Sequence, residues 1–158
     1  MKKVLSVIVI FFVVSMMFSG DLRADSTKLF ANFGILTDDS FSFADYLWTI
    51  GANIDFSIND LFMISPELNL LTSKFKFNIF LLEPSILANV KLGKMFLGGG
   101  LTTLVIVAGN FAAFDTDFGL KLNVGYRSSN LRFRLYMITS FEHMFSENVI
   151  GAQIGLGF

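Results

Sequence analysis

Between Asp117 and Tyr126 the chain changes character at every step: Phe118, Leu120, Leu122, Val124 and Tyr126 interleave with Asp117, Gly119, Lys121, Asn123 and Gly125. A period of two marks an extended strand whose two faces meet unlike surroundings. The same alternation runs from Tyr46 to Ser57, from Leu131 to Ser140, and through the last ten residues, where Ala152, Ile154, Leu156 and Phe158 alternate with Gly151, Gln153, Gly155 and Gly157. Beyond residue 24 no run approaches the ~20 apolar residues of a membrane-spanning helix. Yet 53% of residues are hydrophobic, twenty are phenylalanine and only 16% are charged, against ~25% in soluble domains. The apolar surplus must be carried by strands, each about ten residues long, the length a tilted strand needs to cross a bilayer.

The N-terminus reads differently. Lys2 and Lys3 precede apolar residues 4–18, and a polar stretch then ends on the small residue Ala24. That order predicts a secretory signal peptide over residues 1–24, cleaved after Ala24 or else after Gly20, leaving one domain over residues 25–158. The chain has no cysteine, so neither disulfides nor a lipoprotein anchor are expected. From Asp25 onward, nine Lys and Arg face twelve Asp and Glu; this balance gives no basic patch, and nucleic acid is not an expected partner.

Turn-forming stretches divide the chain into eight strands, near residues 28–36, 44–57, 61–71, 77–90, 95–107, 114–126, 131–141 and 149–158. The second, fourth and sixth breaks are tight, and the others are looser. Pro66 and Pro84, the only prolines, fall inside strands three and four, where a missing N–H interrupts a ladder. Placed opposite each other, they predict a local bulge there.

Alternation alone does not say which face is inside. The polar face decides: it carries Gly, Asn, Ser and Thr rather than the Lys and Glu of a solvated surface, which suits a narrow closed lumen. Aromatics cluster beside the breaks, as at the two interfaces of a bilayer. Tyr46, Trp48, Phe56, Phe62, Phe96, Tyr126, Phe133 and Phe158 are the expected interface aromatics. The fold expected is all-β: an eight-stranded antiparallel up-and-down transmembrane β-barrel, with the tight turns on the periplasmic side.

An alternating last strand that closes on Phe158 resembles the C-terminal signature of bacterial outer-membrane proteins, which the barrel-assembly machinery reads. With the signal peptide, the chain resembles a small outer-membrane β-barrel of the OmpA/OmpX type. That resemblance implies a monomer in the bacterial outer membrane, in contact with its lipid and lipopolysaccharide, with a structural or surface-interaction role and no cofactor. A small-solute channel and a lipid A-modifying hydrolase are the alternatives.

Parity places Asp55, Glu67, Glu83 and Asp117 in the lumen with Lys121, Arg132 and Arg134. Charges in a confined space must pair, because an isolated one loses several kcal/mol of solvation. Glu67 and Glu83 are expected to reach Arg132 and Arg134, with Lys121 nearby, as a static plug rather than a gated path. The hydrolase alternative rests on His143, Ser146 and Glu147, which look similar to the Ser/His/Glu triad of the outer-membrane lipid A deacylases. That family places Ser two residues after His; here it stands three residues on, which points the two side chains to opposite faces. No catalytic or metal site is therefore expected.

Overall fold

The computed structural model describes residues 27–38, 46–73, 79–108, 111–141 and 148–158, with backbone alone for 79, 108 and 111–117. The expected signal peptide lies outside the described residues. Eight strands follow one another: β1 (Thr27–Asp38), β2 (Leu47–Ser57), β3 (Phe62–Thr72), β4 (Ile79–Leu92), β5 (Met95–Ala108), β6 (Phe111–Arg127), β7 (Leu131–Ser140) and β8 (Asn148–Gly157). Each pairs antiparallel with the next, and β8 returns to β1 from Phe30↔Gly157 to Asp38↔Val149, closing the barrel. Closure removes the open edge that a bilayer does not tolerate.

The register fixes the tilt. One circuit of partners runs from Thr27 through Phe56, Ile64, Ala88, Gly99, Leu122, Met137 and Ile150 and re-enters β1 at Thr37, ten residues further along. A stagger of this kind tilts strands by ~35–45° from the barrel axis. Across the wall the alternation does what it predicts. Leu101, Leu135 and Leu156 point outward at 54%, 60% and 56% exposure, whereas Asn32, Asn53, Asn69, Asn89, Asn123 and Gln153 are buried inside. A surface this apolar, continuous around a closed barrel whose interior is polar, is matched to hydrocarbon and not to water.

At one end the connections are short. Ile58–Leu61 joins β2 to β3, with Asn59 Oδ1 accepting from the N–H of Leu61 at 2.8 Å and Phe62 at 2.7 Å. Gly93 and Lys94 join β4 to β5 between the paired residues Leu92 and Met95; Gly93 has φ 67°, a conformation glycine adopts without a Cβ penalty. Ser128–Asn130 joins β6 to β7, its Ser128 N–H bonded to Leu131 O at 2.8 Å. At the other end the connections between β1 and β2 and between β7 and β8 are longer, but the fifth is not loose as expected. β5 and β6 pair up to Ala108↔Phe111, leaving two residues between them.

The bulge also lies elsewhere than expected. Pro66 pairs with Ile86 and Pro84 with Leu68, so the prolines are offset by two and the β3–β4 register runs unbroken. In an antiparallel strand a residue's N–H and C=O point to the same neighbour. Each proline turns its missing donor to the strand on its far side. The β2–β3 pairing accordingly skips Ile54 and Asp55 opposite Pro66 and Ser65, and the β4–β5 pairing skips Glu83 and Pro84, with the register kept across both gaps. The register shift occurs between Thr103 and Val105, where Phe118 and Phe114 are the respective partners on β6.

Lumen-facing glycines make room for large neighbours. A Cβ built on Gly151 would overlap the ring and hydroxyl of Tyr136, and one on Gly125 would overlap the ring of Phe96. Gly151→Ala is therefore expected to cost ~1–3 kcal/mol by overpacking. Adding Tyr136→Leu should recover part of that loss, as read from denaturant midpoints of the single and double variants.

Candidate functional site

The lumen holds its charges in two tiers, set by strand level. Nearest the tight turns, Asp55 of β2 accepts from Arg132 Nη1 at 2.8 Å, Arg127 Nη1 at 3.1 Å, Ser65 Oγ at 2.7 Å and Asn53 Nδ2 at 2.7 Å. Asn53 Oδ1 in turn accepts from Asn32 at 2.8 Å. One carboxylate thus organises residues from β1, β2, β3, β6 and β7. Among the described residues no acceptor reaches Nε or Nη2 of Arg132. Instead its guanidinium lies between two rings, with Cζ 4.7 Å from the centroid of Phe96 and 5.8 Å from that of Phe30. Ring faces carry negative potential and partly replace the missing acceptors.

One level up, Glu67 of β3 and Glu83 of β4 face Lys121 of β6 and Arg134 of β7. Lys121 bonds both glutamates, reaching Glu83 at 2.6 Å, and Arg134 bonds Glu67 and Gln153. All four side chains are buried. Glu83 accepts further from Asn69 Nδ2, Ser85 Oγ and Thr102 Oγ1 at 3.1, 3.1 and 3.2 Å. Gln153 donates to Thr49 at 3.1 Å. Two anions and two cations balance within the tier, so its charges pair across the barrel without needing solvent.

Above this tier the lumen turns apolar. Leu36, Leu71 and Tyr136 are buried together, with Leu47, Leu81, Leu104, Ile138 and Val149 packed against them. Tyr136 joins the layers, its ring centroid 4.2 Å from Lys121 Nζ. The lumen is thus polar below and greasy above.

Of the expected cluster, the six members with described side chains lie in the lumen, but the pairing differs: Glu83 meets Lys121 and neither arginine. Glu67 meets Arg134, whereas Arg132 goes to Asp55 and not to the glutamates. The reason is its level: Arg132 pairs in register with Arg127 at the turn end, and Arg134 pairs with Gly125 one step up. Arg127 was expected in a turn; it ends β6 and points into the lumen, continuing the parity of Lys121, Asn123 and Gly125. Asp117 belongs to β6, but its side chain lies outside the described ones. His143, Ser146 and Glu147 lie outside the described residues. Among those described, no group of three or more His, Cys, Asp or Glu could hold a metal ion.

No protein-family model and no curated protein matches the chain. Solved structures do. The N-terminal β-barrel domain of Pseudomonas aeruginosa OprF is 11% identical, with a TM-score of 0.54 over 83% of this chain and 97% of that one. A de novo designed transmembrane β-barrel is 10% identical, with a TM-score of 0.54 over 83% and 95%. The chain has the fold of a small eight-stranded outer-membrane barrel. At these identities the likeness lies in pattern and not in shared residues, which is why a designed sequence matches as well as a natural one.

On the outside of this barrel, Phe62, Tyr126, Phe133 and Phe158 ring the tight-turn end. Tyr46 and Trp48 lie towards the other, where Trp48 stacks on Phe33 at 5.2 Å and meets Tyr46 edge-on at 5.5 Å. Two expected interface aromatics are not there. Phe96, 2% exposed, points into the lumen because it shares the inward parity of β5 and fits over Gly125. Phe56, 3% exposed, is covered by neighbouring side chains although it shares the outward parity of Ile50 and Ala52 on β2.

Proposed function

We propose that the chain is a non-catalytic, monomeric protein of the bacterial outer membrane, with a structural or surface-interaction role and a lumen closed to solutes. The observation that carries this reading is the buried network itself. From Asp55 to Gln153 the described carboxylates of the lumen each meet a cation, most of the polar groups around them bond to one another, and an apolar layer of Leu36, Leu71 and Tyr136 follows. An eight-stranded barrel has room for little besides its own side chains. The tight turns would face the periplasm, leaving the longer connections towards outer-leaflet lipopolysaccharide. Phe158, 79% exposed after β8, would be presented to the barrel-assembly machinery.

Purified protein in planar bilayers is expected to give no sustained conductance. Steady open channels in the wild type would contradict the closed lumen. Lipid A incubated with wild-type protein and with His143→Ala is expected to keep its acyl chains in both cases; release by the wild type alone would make the protein a hydrolase.

A further inference from the structure

Two hollows meet at the tight-turn rim. One is a polar cavity of about 240 Å³ beside the lumen mouth, walled by Lys91, Lys94, Arg127 and Asp60 over Met63 and Phe96. The other is an apolar groove of about 460 Å³ on the outer surface, running from Met95 and Tyr126 past Phe133 and Leu135 to Ala152 and Phe33. Ala152 makes the depression: its short side chain lies in register between Leu135 and Ile35. Met95 lines both hollows. Tyr126 of the groove immediately precedes Arg127 of the cavity.

Their chemistries are complementary to two ends of one molecule. Three cations and one carboxylate wall the cavity; Arg127 shares its charge with Asp55 at 3.1 Å, and among the described residues Lys91 and Lys94 form no ion pair, so together they outweigh Asp60 and leave the cavity positive. The groove crosses β5, β6, β7, β8 and β1, a path of roughly 20 Å around the wall at ordinary strand spacing, which a strand tilt of ~35–45° turns into a rise of roughly 11–14 Å along the barrel axis. That is on the scale of one leaflet's share of a ~30 Å hydrocarbon core. A free anion would use the cavity and leave the groove without a purpose; an uncharged lipid would do the reverse. We infer that the paired hollows bind one anionic glycerophospholipid of the leaflet on the tight-turn side, its phosphate by Lys91 and Lys94 and an acyl chain over Ala152. The site is independent of whether the lumen conducts.

The experiment offers the detergent-solubilised barrel equal amounts of phosphatidylglycerol and phosphatidylcholine and counts retained lipids by native mass spectrometry. Wild-type protein is expected to retain phosphatidylglycerol preferentially. Lys94→Gln should lower that preference about five-fold, the usual worth of one lysine near an anionic headgroup. Lys91→Gln with Lys94→Gln should abolish it. Ala152→Phe, which fills the groove with every charge in place, should also lower retention. Lys28→Gln removes the same charge from the same rim outside both hollows and should change nothing. Heat-modifiable gel migration checks that each variant is folded. Equal retention of the two lipids by the wild type, or an equal loss in Lys28→Gln and Lys94→Gln, would overturn the site. Displacement of the lipid by inorganic phosphate, with Ala152→Phe silent, would assign the cavity to a free anion instead.

Discussion

Glu67→Ala is expected to lower the stability of the barrel by ~3–5 kcal/mol, the usual loss when one partner of a buried ion pair is removed. Glu67 accepts from both Lys121 and Arg134, and all three side chains are buried. Without it, among the described residues, Arg134 keeps the neutral Gln153 oxygen and Lys121 keeps Glu83, with the Tyr136 ring beside both. Glu83→Ala should cost less, because both cations still reach Glu67. Urea unfolding in lipid vesicles reads the difference as two midpoint shifts of unequal size. An unchanged midpoint for Glu67→Ala would mean that these pairs do not hold the lumen together.

Outside, the largest effect is expected from Leu135→Arg. Leu135 sits mid-strand on β7 and is the most exposed of that strand's outward side chains. An arginine near the bilayer midplane of a barrel costs ~2–4 kcal/mol, falling to ~0–1 near the interface. Leu61→Arg places the same charge in the β2–β3 turn, on a side chain equally bare, and should be nearly silent. The contrast separates lipid from water as the outer solvent, since in water both variants would be benign. Comparable folding yields for the two in vesicles would argue against a membrane-embedded wall.

The eight strands were legible because period two is enforced wherever a strand separates hydrocarbon from a polar lumen, and a slip of one residue would invert every side chain. What the pattern lacked was register between neighbours. Nothing in the residues around Pro66 and Pro84 told that they stand two positions apart, each facing away from the other; only the closure of the whole barrel fixes that offset. The shift opposite Thr103 was hidden for a related reason. β6 is long, 17 residues, and its first half has no clean alternation to reveal the extra residues.

Within the lumen, parity found Asp55, Glu67, Glu83, Lys121, Arg132 and Arg134, but not who pairs with whom, since partners are chosen by height in the barrel and therefore by the same register. Arg127 continues the same parity two residues after Gly125, but it falls in the sixth break, between the expected strands 114–126 and 131–141. Phe96 shows the opposite error. Its place beside a turn suggested an interface, although its even number in β5, shared with the buried Thr102, put it inside. Phe30 and Phe96 stay there because glycines opposite leave space for rings and Arg132 supplies a cation for their faces.

The central claim is the orientation of the wall, and spin labels on reconstituted protein test it most directly. Nitroxides at Leu101, Leu135 and Leu156 should collide readily with membrane-dissolved oxygen and scarcely with a water-soluble nickel chelate, while one at Leu61 should show the reverse. Strong collision with the nickel chelate at all four positions would mean that the apolar face is not against lipid.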